Sequence, residues 1–167
     1  VGQQFVTLFS VVQDAEFFIK TPTNANIIDT NTTWSNSKAK IIYGDLTIDD
    51  GVDLNVQLGT KIYFHKNSGM FVSTGASLNL NGTQTNQIIM RGDRNDTYYD
   101  TIPNNWNSVK MEAGSIINMN HTRLFGGING LEMKEATANI KNSFIHTFLE
   151  SGIYAVASTV NAENLVM

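Results

Sequence analysis

Residues capable of chemistry are sparse in this chain, and most of them gather in one stretch. Residues 91 to 107 read Arg-Gly-Asp-Arg-Asn-Asp-Thr-Tyr-Tyr-Asp-Thr-Ile-Pro-Asn-Asn-Trp-Asn. Three carboxylates lie here, Asp93, Asp96 and Asp100. A hard cation such as Ca²⁺ takes six to eight oxygen ligands, which makes these three the metal candidates, although their spacing fits no EF-hand and the required Gly and closing Glu are missing. The competing expectation is a solvated loop. Tyr98, Tyr99 and Trp106 join an apolar ring to a polar tip, the side-chain type that stacks on a sugar or on a partner protein. For Trp106 the other expectation is that it plugs the core where regular structure resumes.

Other clusters argue for less. Polysaccharide-cleaving sites hold two carboxylates a few ångströms apart. On a stacked coil those acids would recur at matching positions of adjacent turns. Asp45, Asp49, Asp50 and Asp53 lie close together, but one repeat later the matching positions are Ser73, Thr74 and Ser77. They are expected to be solvated corner residues. His65, His121 and His146 are too dispersed for a metal motif. Arg91-Gly92-Asp93 spells a tripeptide bound by animal adhesion receptors, and Asn-x-Thr patterns begin at Asn31, Asn81, Asn95 and Asn120. Both are short enough to arise by chance. No catalytic residue and no cofactor is assigned.

The elements that position these residues show in a repeat. Ile117-Asn-Met-Asn-His-Thr-Arg-Leu124 aligns with Ala138-Asn-Ile-Lys-Asn-Ser-Phe-Ile145 and with Val160-Asn-Ala-Glu-Asn-Leu-Val-Met167. The offsets, about 21 and 22 residues, are those of a stacked repeat. Apolar residues alternate within each copy, the period of a half-buried strand. So short a unit cannot enclose a core by itself, but as one coil of a solenoid it buries its inner face against its neighbours. Upstream, short strands near Ile41, Leu46, Leu54, Ile62, Met70, Leu78 and Ile88 are separated by Gly44, Gly51, Gly59, Gly69, Gly75 and Gly82, residues suited to corners with positive φ. Gly51-Val-Asp-Leu-Asn-Val56 answers Gly75-Ala-Ser-Leu-Asn-Leu80, and Gly59-Thr60 answers Gly82-Thr83. Asn118, Asn139 and Asn161 coincide, so their amides are expected to stack ~4.8 Å apart. His121 coincides with Asn142 and Asn164 at a turn.

The expected organisation is therefore all-β: a parallel β-helix over 41–167, of roughly six coils at this repeat length, interrupted by a projecting loop at 91–107. Residues 21–40, polar and rich in Asn and Thr, are expected to be a linker. Residues 1–20, with Phe5-Val-Thr-Leu-Phe-Ser-Val-Val12, are expected to be the last strand of a preceding β-sandwich or a cap on the coil. The net charge of −4 with scattered basic residues disfavours a nucleic-acid surface. The chain has no cysteine, which excludes disulfides and thiolate chemistry. No uncharged apolar run reaches the ~18 residues that would cross a bilayer. Val1 follows no leader and Met167 falls within a repeat, so the chain is expected to be part of a longer polypeptide.

Ile42-Tyr-Gly-Asp-Leu-Thr-Ile48, Leu58-Gly-Thr-Lys-Ile-Tyr-Phe-His65, Ile88-Ile-Met-Arg-Gly-Asp-Arg94 and Trp106 together resemble right-handed parallel β-helix proteins exported by Bacteroidetes-type bacteria, many of them surface lipoproteins. The resemblance spans roughly 13–167. It implies a right-handed coil, export, a lipid anchor outside this segment and an immunoglobulin-like sandwich before the coil. It brings no catalytic residues. Where that family often has Pro-Gly-Gln-Trp, this chain has Pro103-Asn-Asn-Trp106. The functional expectation is a non-enzymatic structural or interaction module at the bacterial surface, meeting protein partners and belonging to an outer-membrane complex. The alternative is a module that binds or cleaves carbohydrate.

Overall fold

The computed structural model describes residues 15–94 and 96–167, and these form a parallel β-solenoid. The first coil consists of β1 (Ala15–Ile19), β2 (Ile27–Ile28) and β3 (Thr32–Trp34). The second has β4 (Ala39–Tyr43), β5 (Asp45–Ile48) and β6 (Asp53–Gln57); the third has β7 (Lys61–Phe64), β8 (Gly69–Val72) and β9 (Ser77–Asn81). The fourth has β10 (Ile88–Gly92), β11 (Val109–Met111) and β12 (Ile116–Asn120). Then follow β13 (Thr122–Phe125), β14 (Asn129–Lys134), the long β15 (Thr137–His146), β16 (Ser151–Val156) and β17 (Thr159–Val166).

Each coil contributes one strand to each of three faces. The first face stacks β1, β4, β7, β10, β13 and the second half of β15; the second stacks β2, β5, β8, β11, β14 and β16. The third stacks β3, β6, β9, β12, the first half of β15 and then β17. β15 turns a corner and so belongs to two faces. With every interior strand paired on both edges, backbone polar groups are satisfied without exposing a sheet edge along the rod.

Alternation decides which side chains fill the interior. On the third face Trp34, Val56, Leu80, Met119 and Ile140 form one inward column, and Leu54, Leu78, Ile117 and Ala138 form another. All nine are buried. Ala162 continues the first column at the next rung. The column Met119, Ile140, Ala162 expected from the repeat is therefore real. On the first face one inward column, Met90 and Ile62, meets Lys40, which sits in register with Ile62, is almost wholly buried and pairs with Glu16 at 2.5 Å. Its ammonium lies 5.9 Å from the Trp34 ring centroid.

Corners between the second and third faces repeat one geometry. Gly51, Gly75 and Gly114 have φ near +70°, and Glu135 and Ala157 take the same left-handed conformation at the two following rungs. The amides of Gly51, Gly75, Gly114 and Glu135 each donate to a carbonyl at the same corner of the coil above. Glycine adopts this φ freely, whereas Glu135 and Ala157 hold it against a steric cost of about 1 kcal/mol or more.

Three expectations about organisation are corrected. Residues 21–40 are not a linker: β2 pairs with β5 and β3 with β6, because Ile28 and Trp34 face the core. Residues 15–19 are not an isolated end strand, since β1 lies parallel to β4 over its whole length, so the solenoid begins before residue 41. The Val1–Val12 run, and the sandwich or cap expected from it, fall outside the described residues. Finally, Gly82-Thr83 does not continue Gly59-Thr60. Lys61 pairs with Ile89, 28 positions on, so residues 82–87 form an enlarged corner. At Gly82 an added Cβ would sit 2.4 Å from the His121 carbonyl oxygen, which is why a glycine stands where two coils approach so closely.

Candidate functional site

The loop after β10 projects at the corner between the first and second faces, and the structure braces it from both sides. Asp96 caps a short 3-10 turn, Thr97–Asp100, its carboxylate accepting from the Tyr98 amide at 2.9 Å. Asn105 Nδ2 donates to the carbonyls of Tyr99 and Ile102 at 3.0 and 2.8 Å. The amides of Asn104 and Asn105 donate to Gly127 and Gly126 in the next coil. Asn104 has a φ of +64°, so the Pro103-Asn-Asn-Trp106 turn uses an Asn in the left-handed region.

Each candidate metal ligand is engaged separately. Asp93 Oδ2 meets His65 Nδ1 at 2.7 Å, Asp96 caps the turn, and Asp100 Oδ1 lies 2.5 Å from Arg91 Nη1. The Asp100 contact is an ion pair without the alignment of a hydrogen bond. The three carboxylates therefore point to three different partners and do not converge on a cation. Among the described residues no group of three His, Cys, Asp or Glu side chains could hold a metal ion.

Arg91 is part of an outward column on the first face, Tyr63, Arg91, Phe125 and His146. Its guanidinium lies 6.0 Å from the Tyr63 centroid and 5.7 Å from that of Phe125, and the Phe125 and His146 rings stack at 5.0 Å. The first residue of the Arg-Gly-Asp tripeptide is thus held between rings and paired to Asp100. Burial, with the Arg123 guanidinium nearby, holds the His146 imidazole below its ordinary value near 6.5, and Asp100 acts in the opposite sense. Burial pushes the Tyr63 phenol up, with Arg91 opposing and Asp100 adding to the rise. Tyr43, stacked on His65 at 4.4 Å, is also raised by burial and by the Asp93 charge.

His65 and Asp93 form a pair of the kind that orients a base. Among the described residues no hydroxyl or amine is hydrogen-bonded to the other imidazole nitrogen. The early acids do not form a row: Asp45 pairs in register with Gly69 and Asp53 with Ser77, while Asp49 and Asp50 precede the Gly51 corner. His121, Asn142 and Asn164 occupy one left-handed corner column, with φ of +45°, +49° and +52°.

The three aromatic candidates part company. Trp106 is 1% exposed, stacks on Phe64 at 4.4 Å and donates Nε1–H to the Phe125 carbonyl at 2.9 Å. It is a core residue, and its expected role as a contact residue is corrected: burying its large ring closes the coil after the loop. Tyr99 receives the Arg94 guanidinium over its ring at 4.5 Å. Tyr98 is 63% exposed and meets Tyr99 edge-on.

A second place was not anticipated. At the corner between the third and first faces a surface cleft of about 460 Å³ is lined by Asn36, Asn55, Val56, Gln57, Leu58 and Asn81. Gln57 and Asn81 are in register on adjacent rungs. Their coincidence was visible in Leu54-Asn-Val-Gln57 against Leu78-Asn-Leu-Asn81, but the enlarged corner at 82–87 was not.

A scan against protein-family models gives no match, and comparisons with curated proteins and with solved structures give none either.

Proposed function

We propose that this chain is a non-enzymatic structural and interaction module of a bacterial cell surface, a stiff β-solenoid whose projecting loop meets a protein partner within an outer-membrane complex. The observation that carries the reading is Tyr98: an exposed ring on a 3-10 turn held by the Asp96 cap, the Arg91–Asp100 ion pair and the Asn105 amide. A ring fixed before binding loses little conformational freedom on docking, and tyrosine is enriched at the centre of interfaces for that reason. The surface and outer-membrane setting is supported by the likeness of the Gly59-Thr-Lys-Ile-Tyr-Phe-His65 and Arg91-Gly-Asp-Arg94 segments to exported β-helix proteins. No helix among the described residues is long and apolar enough to cross a membrane.

The alternative, polysaccharide cleavage, needs an acid and a base or nucleophile facing each other across the sugar. Here Asp93 and Asp100 are committed to His65 and Arg91, which favours the non-catalytic reading. The test is a photo-crosslinking residue at position 98 in the cell envelope of the source bacterium. A discrete crosslinked membrane-protein adduct, lost when the loop is loosened by Asn105→Ala, is the expected result. Turnover of a polysaccharide by the purified chain that falls with Asp93→Asn or Asp100→Asn would overturn the proposal.

A further inference from the structure

We infer that the cleft at the corner between the third and first faces binds a neutral glycan. Its polar lining is carboxamide and carries no charge: Asn36, Asn55, Gln57 and Asn81. A carboxamide presents a carbonyl acceptor beside an N–H donor. Neighbouring sugar hydroxyls, each both donor and acceptor, complement that pair without requiring either side to be ionised.

Hydrogen-bonding capacity remains open here. Asn36 spends its Nδ2 on the Leu58 carbonyl at 3.0 Å, which fixes the side chain and leaves Oδ1 for a ligand. Asn55 gives Oδ1 to Asn79 at 3.1 Å and keeps Nδ2. Gln57 and Asn81 make no side-chain hydrogen bond to a described residue, and they stand on adjacent rungs, about 4.8 Å apart along the rod. Two of the four amides are thus held in place before any ligand arrives, and the other two are free to adapt. Leu58, 39% exposed, adds an apolar patch for the C–H face of a pyranose ring.

Other ligand classes fit less well. An anion or cation would find no opposite charge among the lining residues. A peptide adding a β-strand needs an open backbone edge, and β6 is already paired with β3 on one side and β9 on the other. The stacked rings elsewhere on the rod, Tyr43 on His65 and Phe125 on His146, spend their faces on each other, so a sugar cannot stack on those faces. The cleft also lies at a different corner from Tyr98, so its occupancy is independent of the partner proposed for the loop.

The experiment is an NMR titration of the ¹⁵N-labelled chain, following side-chain amide resonances. Cellohexaose, mannohexaose and xylohexaose are the neutral probes, and an oligogalacturonate is the anionic one. The expected result is saturable shifts at Asn36, Gln57 and Asn81 with at least one neutral probe. Gln57→Ala combined with Asn81→Ala should weaken that binding about tenfold, the loss of two hydrogen bonds of modest net strength. Its melting temperature should stay unchanged, since neither side chain makes a hydrogen bond to a described residue. Asn81→Asp is the second variant, and it should weaken the same response while the backbone spectrum is retained. No shift at these residues with any neutral probe, a stronger response to the oligogalacturonate, or shifts confined to Tyr98 and its neighbours would overturn the inference.

Discussion

Replacing Asn118 by Ala removes a link from the middle of a chain of amides that runs along the third face. Asn79 Nδ2 donates to Asn55, Asn118 to Asn79, Asn139 to Asn118 and Asn161 to Asn139, at 3.1, 2.7, 2.9 and 2.9 Å. Asn118 takes part in two of these bonds, donating one and accepting one. Asn161, on the last described rung of this face, takes part in one. A side-chain hydrogen bond contributes about 0.5–1.5 kcal/mol net, toward the lower end where water can reach the severed partner. Asn118→Ala should therefore destabilise by about 1–2 kcal/mol and Asn161→Ala by about half as much. Urea unfolding of the whole chain, compared at equal m-values, measures both.

Asn118→Asp tests direction as well as size. The carboxylate can still accept from Asn139, but it has no proton to give the Asn79 carbonyl oxygen 2.7 Å away. The protonated acid restores the donor, so folding raises the new group's pKa above the unfolded value of about 3.9. Stability is then fully present below that value and is lost as pH rises through the folded pKa. The variant should approach the parent protein near pH 4 or below and fall away from it toward neutrality. Equal costs for Asn118→Ala and Asn161→Ala, or an Asn118→Asp variant indifferent to pH, would refute the claim that these amides act as one directional ladder.

Two further outcomes follow from the core and from the outer column. Trp106→Ala should cost about 3–5 kcal/mol by urea unfolding, the range for emptying a large aromatic site, while Trp106→Phe keeps the stack on Phe64 and costs about 1–3 kcal/mol for the orphaned Phe125 carbonyl; a loss under about 1 kcal/mol for the Ala variant would place the ring outside the core. His146 has a folded pKa below its unfolded value, so its contribution is present above pH 6.5 and declines as pH falls through the folded pKa. Melting temperature followed from pH 7.5 to 5 should drop less in His146→Phe, which keeps a ring against Phe125 but cannot be protonated; identical pH profiles would show that this imidazole does not contribute.

How much of this was legible in the chain depended on spacing. Where rungs recur at a constant interval, as in residues 117–167, alternation and offset together specified strands, inward columns and the pairing of Asn118, Asn139 and Asn161. Asn55 and Asn79 belong to the same ladder but were not joined to it, because the enlarged corner and the loop place Asn118 39 positions after Asn79. The first coil was missed for a related reason. Its strands are two to five residues long and punctuated by Thr and Asn rather than Gly, so propensity alone reads as linker what stacking on β5 and β6 makes regular.

The candidate site divides along the same line. That residues 91–107 leave the coil was plain from the loss of alternation, and the absence of cysteine excluded disulfides and thiolate chemistry. Which ring would be buried, which carboxylate would meet His65 or Arg91, and that four amides would line one cleft were decided by the coil itself. Side-chain alternation is a local property, fixed by strand geometry, so it survives in the linear order of residues. Partnership between residues 28 or 39 positions apart depends on how much chain each corner absorbs, and only the closed circuit of the folded rod sets that length.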